Sequence, residues 1–101
     1  MPKIYEYFGI VFLIYTDDHE PVHVHAQYGD AENKIELYYA NGQLIDVVFQ
    51  RVRGKAELPS VQQGKTEQFV PEYHEGIVSK WNDVQVFKRK PKFEKITKKA
   101  K

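Results

Sequence analysis

Val22-His23-Val24-His25-Ala26-Gln27-Tyr28 alternates without a break, Val22, Val24, Ala26 and Tyr28 falling on one side and His23, His25 and Gln27 on the other. Successive side chains of a strand point to opposite faces, so this stretch predicts a strand with one apolar face and one histidine-bearing face. After a turn expected over 29 to 33, residues 34 to 39 repeat the pattern, with Ile35, Leu37 and Tyr39 inward and Lys34, Glu36 and Tyr38 outward. Asn41-Gly42 then marks a hairpin. A two-residue loop would set Leu37 against Asp46. A three-residue loop with Gly42 as a left-handed bulge sets Ile35 and Leu37 against Val47 and Ile45, and the apolar match favours that register.

Upstream, residues 7 to 15 (Tyr-Phe-Gly-Ile-Val-Phe-Leu-Ile-Tyr) are apolar on both alternating faces, the signature of a central strand covered on two sides. The polar run Thr16 to Pro21 connects it to the histidine strand. Downstream, Arg51, Arg53, Gly54, Lys55, Pro59 and Gly64 interrupt any pattern, and a loop with one helical turn is expected between 50 and 68. Val70, Tyr73, Ile77, Trp81 and Val84 recur at helical spacing, which predicts an amphipathic helix over 71–83 with Pro71 in its first turn. Gly76 inside that helix costs about 1 kcal/mol relative to Ala.

These elements predict a single α+β domain over 1–87: a mainly antiparallel sheet of four to five strands with one main helix packed on it. With 101 residues the chain has room for one hydrophobic core. Hydrophobic residues at 42% exclude wholesale disorder, and the lack of Cys excludes disulfide scaffolds, thiolate metal sites and a Cys nucleophile. No phosphate-loop, dinucleotide, nucleophile-elbow or HExxH signature is present. The apolar run ending at Tyr15 is too short to span a bilayer, so a cytoplasmic protein with no membrane partner is expected.

The near-neutral balance of 15 basic and 14 acidic residues hides an asymmetry. Residues 88 to 101 hold eight basic residues and one acid, a net of +7, while residues 1 to 87 hold seven basic and 13 acidic, a net of −6. This basic C-terminal tail is expected to be partly a strand, around Phe93 and Ile96, with a frayed end. Lys88, Arg89, Lys90, Lys92, Lys95, Lys98 and Lys99 are its candidate contacts to a protein partner or to nucleic acid, with Phe87 and Phe93 placed to stack on bases. The bland alternative is a solvated end lying against the acidic body.

His19, His23 and His25 stand within seven residues, beside Asp17, Asp18 and Glu20. Two strand histidines on one face lie about 6.7 Å apart in rise, a span that side chains bridge around one ion at ~2.0–2.1 Å from each ring nitrogen. With His19 as third ligand, a divalent metal such as zinc would leave an open position for an activated water. Asp18 and Glu75 are the candidate catalytic bases, and His74 would join only if the helix packs near this face. A structural or partner-contacting role for the histidines stands ahead of the metal site, and metal-free acid–base use stands behind it.

Met1-Pro2-Lys3-Ile4, Phe8-Gly9-Ile10 and the run Asp18-His19-Glu20-Pro21-Val22-His23-Val24-His25-Ala26-Gln27-Tyr28-Gly29 resemble a small bacterial family called domain of unknown function 4160, whose pattern is DHxPPHxHAxYG. Val22 replaces the second Pro of that pattern, and the stretch between hairpin and helix is longer. Trp81 in the helix and the ending Lys92-Phe93-Glu94-Lys95-Ile96 share the resemblance. No activity comes with it. The resemblance implies a small protein partner encoded nearby, in an arrangement like that of toxin and antitoxin pairs. The reading placed first is therefore an interaction module of such a pair. Behind it stand a metal-dependent hydrolase or nuclease using the three histidines, and a non-catalytic nucleic-acid-binding module using the tail. A homodimer through an exposed edge strand is compatible with each.

Overall fold

Phe8 and Gly9 both adopt positive φ, 47° and 81°, and this two-residue turn divides the segment expected to be one central strand. Such turns match the twist of antiparallel strands, and a glycine in the second position accepts the left-handed backbone without steric cost. The result is a hairpin of β1, Lys3–Tyr7, and β2, Ile10–Leu13, paired antiparallel with Tyr7 opposite Ile10 and Tyr5 opposite Phe12. The two-sided apolar signature thus belongs to two strands. Residues 2–16 and 18–100 are described in this computed structural model. Asp17, flanking the histidine run, lies outside the described residues.

β3, His23–Tyr28, turns back through Gly29-Asp30 into β4, Ala31–Ala40, a shorter turn than the one expected over 29 to 33. Tyr28 therefore sits opposite Ala31, Gln27 opposite Glu32 and His25 opposite Lys34. β5, Gln43–Arg51, follows the Asn41-Gly42 turn, where φ is 53° and 78°. The register differs from the expected one. Ala40 pairs with Gln43 across a two-residue loop, the irregularity comes between Tyr38 and Tyr39, and Leu37 meets Val47 while Ile35 meets Phe49. Apolar residues still pair with apolar residues, but Ile45 is the extra residue and stands exposed, instead of Gly42 absorbing the offset.

The helix, α1, runs from Ser60 to Gln85, far longer than the expected 71–83. Thr66, Phe69 and Val70 extend its buried face into the stretch expected to be a loop. Pro71 is inside the helix, and Tyr73, with φ −110° and ψ 16°, departs from helical geometry two residues later. A proline cannot donate to the preceding turn and crowds it, which is the usual origin of such a kink. β6, Glu94–Ile96, then adds to β1 in parallel. The sheet order is β5-β4-β3-β2-β1-β6, six strands where four to five were expected, antiparallel except at the β1–β6 edge. Beyond β6, Ala100 is buried and its N–H donates to Tyr7 Oη, so the described end of the chain lies on the domain instead of fraying from it.

The helix covers the face carrying Tyr5, Tyr7, Phe12, Val24 and Ala26. Phe69 is fully buried there, its ring 5.4 Å from Tyr5, 4.8 Å from Tyr7 and 4.7 Å from Phe12. The two glycines of the helix are not equivalent. A Cβ on Gly64 would meet open space, whereas one on Gly76 would run into the Tyr5 hydroxyl. Gly64→Ala is therefore expected to raise stability by about 0.5–1 kcal/mol and Gly76→Ala to lower it, both read from urea unfolding midpoints. A stabilised Gly76→Ala protein would contradict the close packing of α1 on β1.

Candidate functional site

Strand register puts His25, Gln27, Glu32, Lys34 and Glu36 on the sheet face opposite the helix. That face was expected to project the histidines outward, yet His23 and His25 are 4% and 6% exposed and Glu32 only 1%. The burial comes from neighbours in the sheet, from Tyr15 and Asp18 just before the strand, and from the helix. Tyr15 stacks on His25 with ring centroids 3.9 Å apart and planes 3° apart, and Trp81, from the C-terminal part of α1, lies 4.9 Å from the His23 ring. Gln85 Nε2 donates to the Tyr15 carbonyl at 2.7 Å, tying the helix end to the same residue.

Glu32 organises the centre. Its Oε2 accepts from Tyr15 Oη at 2.7 Å and pairs with His25 Nδ1 at 2.9 Å, and its Oε1 accepts from Gln27 Nε2 at 2.9 Å. Burial pushes the Glu32 carboxyl up, but these three hydrogen bonds together outweigh it and hold the group below the usual carboxylate range. The Tyr15 hydroxyl is pushed up to about 12 by burial and by Glu32, so it remains a donor. Since ionised Glu32 only accepts, His25 Nδ1 carries its proton and Nε2 carries the lone pair. Burial also keeps the His25 imidazole below its ordinary value, against the opposing pull of Glu32, which favours the neutral ring that a metal requires.

His23 is fixed in the same sense. Its Nδ1 lies 2.9 Å from the Pro21 carbonyl, an acceptor only, so Nδ1 carries a hydrogen and donates it there. That Nε2 faces Asp18 Oδ2 at 2.9 Å. Either a hydrogen on Nε2 or a cation in its place accounts for this short contact with the carboxylate. Asp18, His23 and His25 each offer one ligand atom, all within 4.8 Å of one another, the one such three-residue group among the described residues. Each histidine has an Nδ1 acceptor that orients it, the arrangement that supports metal-bound imidazoles.

The other sequence-predicted residues lie elsewhere. His19 is exposed and outside this group, because it precedes the strand that aims the other two rings; Asp18 takes the place expected of it. Glu75 is exposed and lines a separate cleft of about 330 Å³ with Tyr39, Gly42, His74 and Val78, so neither it nor His74 supports the β3 histidines. His74 Nδ1 instead pairs with Tyr39 Oη at 2.8 Å. Of the tail, Lys88, Arg89 and Lys90 line a cleft of about 300 Å³ with Pro2, Thr16 and Val84. Arg89 also reaches Asp83 at 2.8 Å and Lys95 reaches Glu6 at 3.6 Å, contacts with the acidic body; Lys92, Lys98 and Lys99 are exposed. Local pattern in the sequence does not single out Glu32 or Tyr15. A two-residue turn at Gly29-Asp30 was the available signal, since it alone puts Glu32 beside Gln27 and diagonal to His25.

Fold and site together define a small α+β protein with a buried histidine–carboxylate centre built on β3 and β4 and closed on one side by Trp81 of α1. The chain belongs to the family described as domain of unknown function DUF4160, whose model matches residues 9–82, spanning the centre and most of α1. No curated protein and no solved structure matches the chain. No helix among the described residues is long and apolar enough to cross a membrane.

Proposed function

We propose that Asp18, His23 and His25 hold a divalent metal ion such as zinc, and that the chain is a metal-dependent hydrolase. The observation that carries this reading is the convergence of Asp18, His23 and His25, one ligand atom from each lying within 4.8 Å of the others. An ion bound by two imidazoles and one carboxylate keeps positions open for water, lowers that water's pKa toward ~7 and supplies a hydroxide nucleophile. Asp18 then acts as ligand, and the hydrogen bond from His25 to Glu32 raises the basicity of the ring.

Titration of tag-free protein with Zn²⁺ or Co²⁺, followed by calorimetry and by the visible spectrum of the cobalt form, tests this directly. One ion per chain is expected at micromolar supply, lost in His23→Ala and His25→Ala, weakened about 10–100-fold in Glu32→Gln, and unchanged in His19→Ala. Absence of binding, or equal loss in His19→Ala and His25→Ala, would overturn it.

A second reading, the interaction module of a toxin–antitoxin-like pair, draws on the exposed Val86, Phe87 and Phe93 among the tail lysines. That mixture of apolar and cationic surface suits an acidic protein. Co-purification with the product of an adjacent gene, insensitive to His25→Ala and lost on replacing Phe87 and Phe93 by Ser, is the result expected from it.

A further inference from the structure

The cleft of about 300 Å³ between the N-terminal segment and the helix end is assigned no role by the metal centre itself. Its chemistry has two halves. Pro2 and Val84 supply apolar lining, and Thr16, Lys88, Arg89 and Lys90 supply a hydroxyl and three cations, of which Arg89 is also paired with Asp83 at 2.8 Å. A ligand that fits both carries a flat, weakly polar ring and a neighbouring anionic group. A nucleotide unit has that composition, its base against the apolar lining and its phosphate toward the cations.

The cleft is also joined to the metal centre through one short connection. Thr16 lines the cleft, Tyr15 beside it stacks on His25 and donates to Glu32, and Asp18 follows two residues later. Gln85, bonded to the Tyr15 carbonyl, is the neighbour of Val84 on the helix. One short stretch of chain thus carries Thr16 of the cleft and Asp18 of the centre.

We infer that the cleft formed by Pro2, Thr16, Val84, Lys88, Arg89 and Lys90 binds single-stranded nucleic acid, and that a phosphodiester is the substrate of the adjacent centre. The binding half stands independently; the substrate half rests on the metal-hydrolase reading above. In the reaction a water oxygen forms a new P–O bond while the P–O bond to the leaving sugar oxygen breaks. One water proton passes to that oxygen, the other stays on the phosphate until solvent takes it, and nothing is oxidised or reduced.

The experiment uses fluorescent single-stranded 12-mers of RNA and of DNA, with anisotropy measured in excess chelator so that binding is read without metal. The Arg89→Gln/Lys90→Gln double variant is expected to bind about tenfold more weakly and to flatten the slope of log K against log salt by about 1.4, two phosphate contacts at ~0.7 each. Thr16→Trp, at an exposed position of the lining, fills the cleft with all charges kept and is expected to weaken binding similarly. Lys98→Gln/Lys99→Gln removes equal charge from the same tail outside the cleft and is expected to change affinity less than twofold. Equal loss in both double variants, displacement by an acidic peptide as effective as by unlabelled strand, or no binding by the wild type overturns the cleft assignment. Binding without Mn²⁺- or Zn²⁺-dependent cleavage leaves the cleft standing and sinks the substrate half. Stoichiometric metal binding by the same sample shows separately whether the centre itself survives.

Discussion

Glu32→Ala is expected to lower the unfolding free energy by about 3–5 kcal/mol, since each buried donor left unsatisfied costs about 1–3 kcal/mol. The side chain is almost fully buried and its two oxygens serve Tyr15, His25 and Gln27. Truncation leaves three donors facing one another across a cavity, each carrying its own desolvation cost. Against a total stability of ~5–15 kcal/mol for a domain of this kind, the loss brings the protein near its unfolding limit at room temperature. Urea unfolding at pH 7 measures it, and a change below about 1 kcal/mol would show that the network contributes little.

The same network sets the pH dependence. Glu32 is depressed in the folded state, so its contribution is complete above its unfolded value of ~4.3 and is lost as pH falls through the folded one. His25 is depressed as well, by burial, and the fold's preference for the neutral ring is complete above ~6.5 and is lost as pH falls below it. Stability is therefore expected to be level above about pH 6.5 and to decline on acidification, first as His25 charges and then as Glu32 protonates. Glu32→Gln should erase the lower step, and His25→Ala the upper one. A wild-type profile flat from pH 7 to pH 3 would rule out both assignments.

Phe69→Ala is the second large effect, again about 3–5 kcal/mol, from lost transfer energy plus the cavity left behind. Phe69 is fully buried and its ring meets Tyr5, Tyr7, Phe12 and Tyr73, the last stacked at 4.5 Å. Few neighbours there can collapse into the hole, since each ring is held by its own strand or helix. Phe69→Leu should cost about half as much. Because Phe69 lies on the face away from His25 and Glu32, residual metal affinity per folded molecule should stay within about threefold of wild type. Loss of metal binding in a protein still folded by circular dichroism would show that the helix face controls the centre.

Strand β3, its two faces and the apolar helix stripe through Val70, Ile77, Trp81 and Val84 are legible in the sequence, because alternation and 3.6-residue recurrence are local properties. The Phe8-Gly9 turn was hidden: two short apolar strands joined by two residues read the same as one long one. The first half of α1 was hidden for the opposite reason. Gly64 and Pro71 weaken its local signal, and contacts of Thr66 and Phe69 with a distant sheet supply what propensity lacks.

His23 and His25 could be singled out from their spacing and face, whereas Glu32, Tyr15 and the preference for Asp18 over His19 could not. Which groups meet across a sheet depends on turn length and register, and a one-residue change in either exchanges every neighbour. The residues along one strand carried the proposal of a site. Its hydrogen-bond partners and its supporting carboxylate were decided by the turn that folds β4 back on β3 and by the connection before β3, and its burial by Trp81 from a helix far along the chain, because turn length, register and packing are not properties of local periodicity.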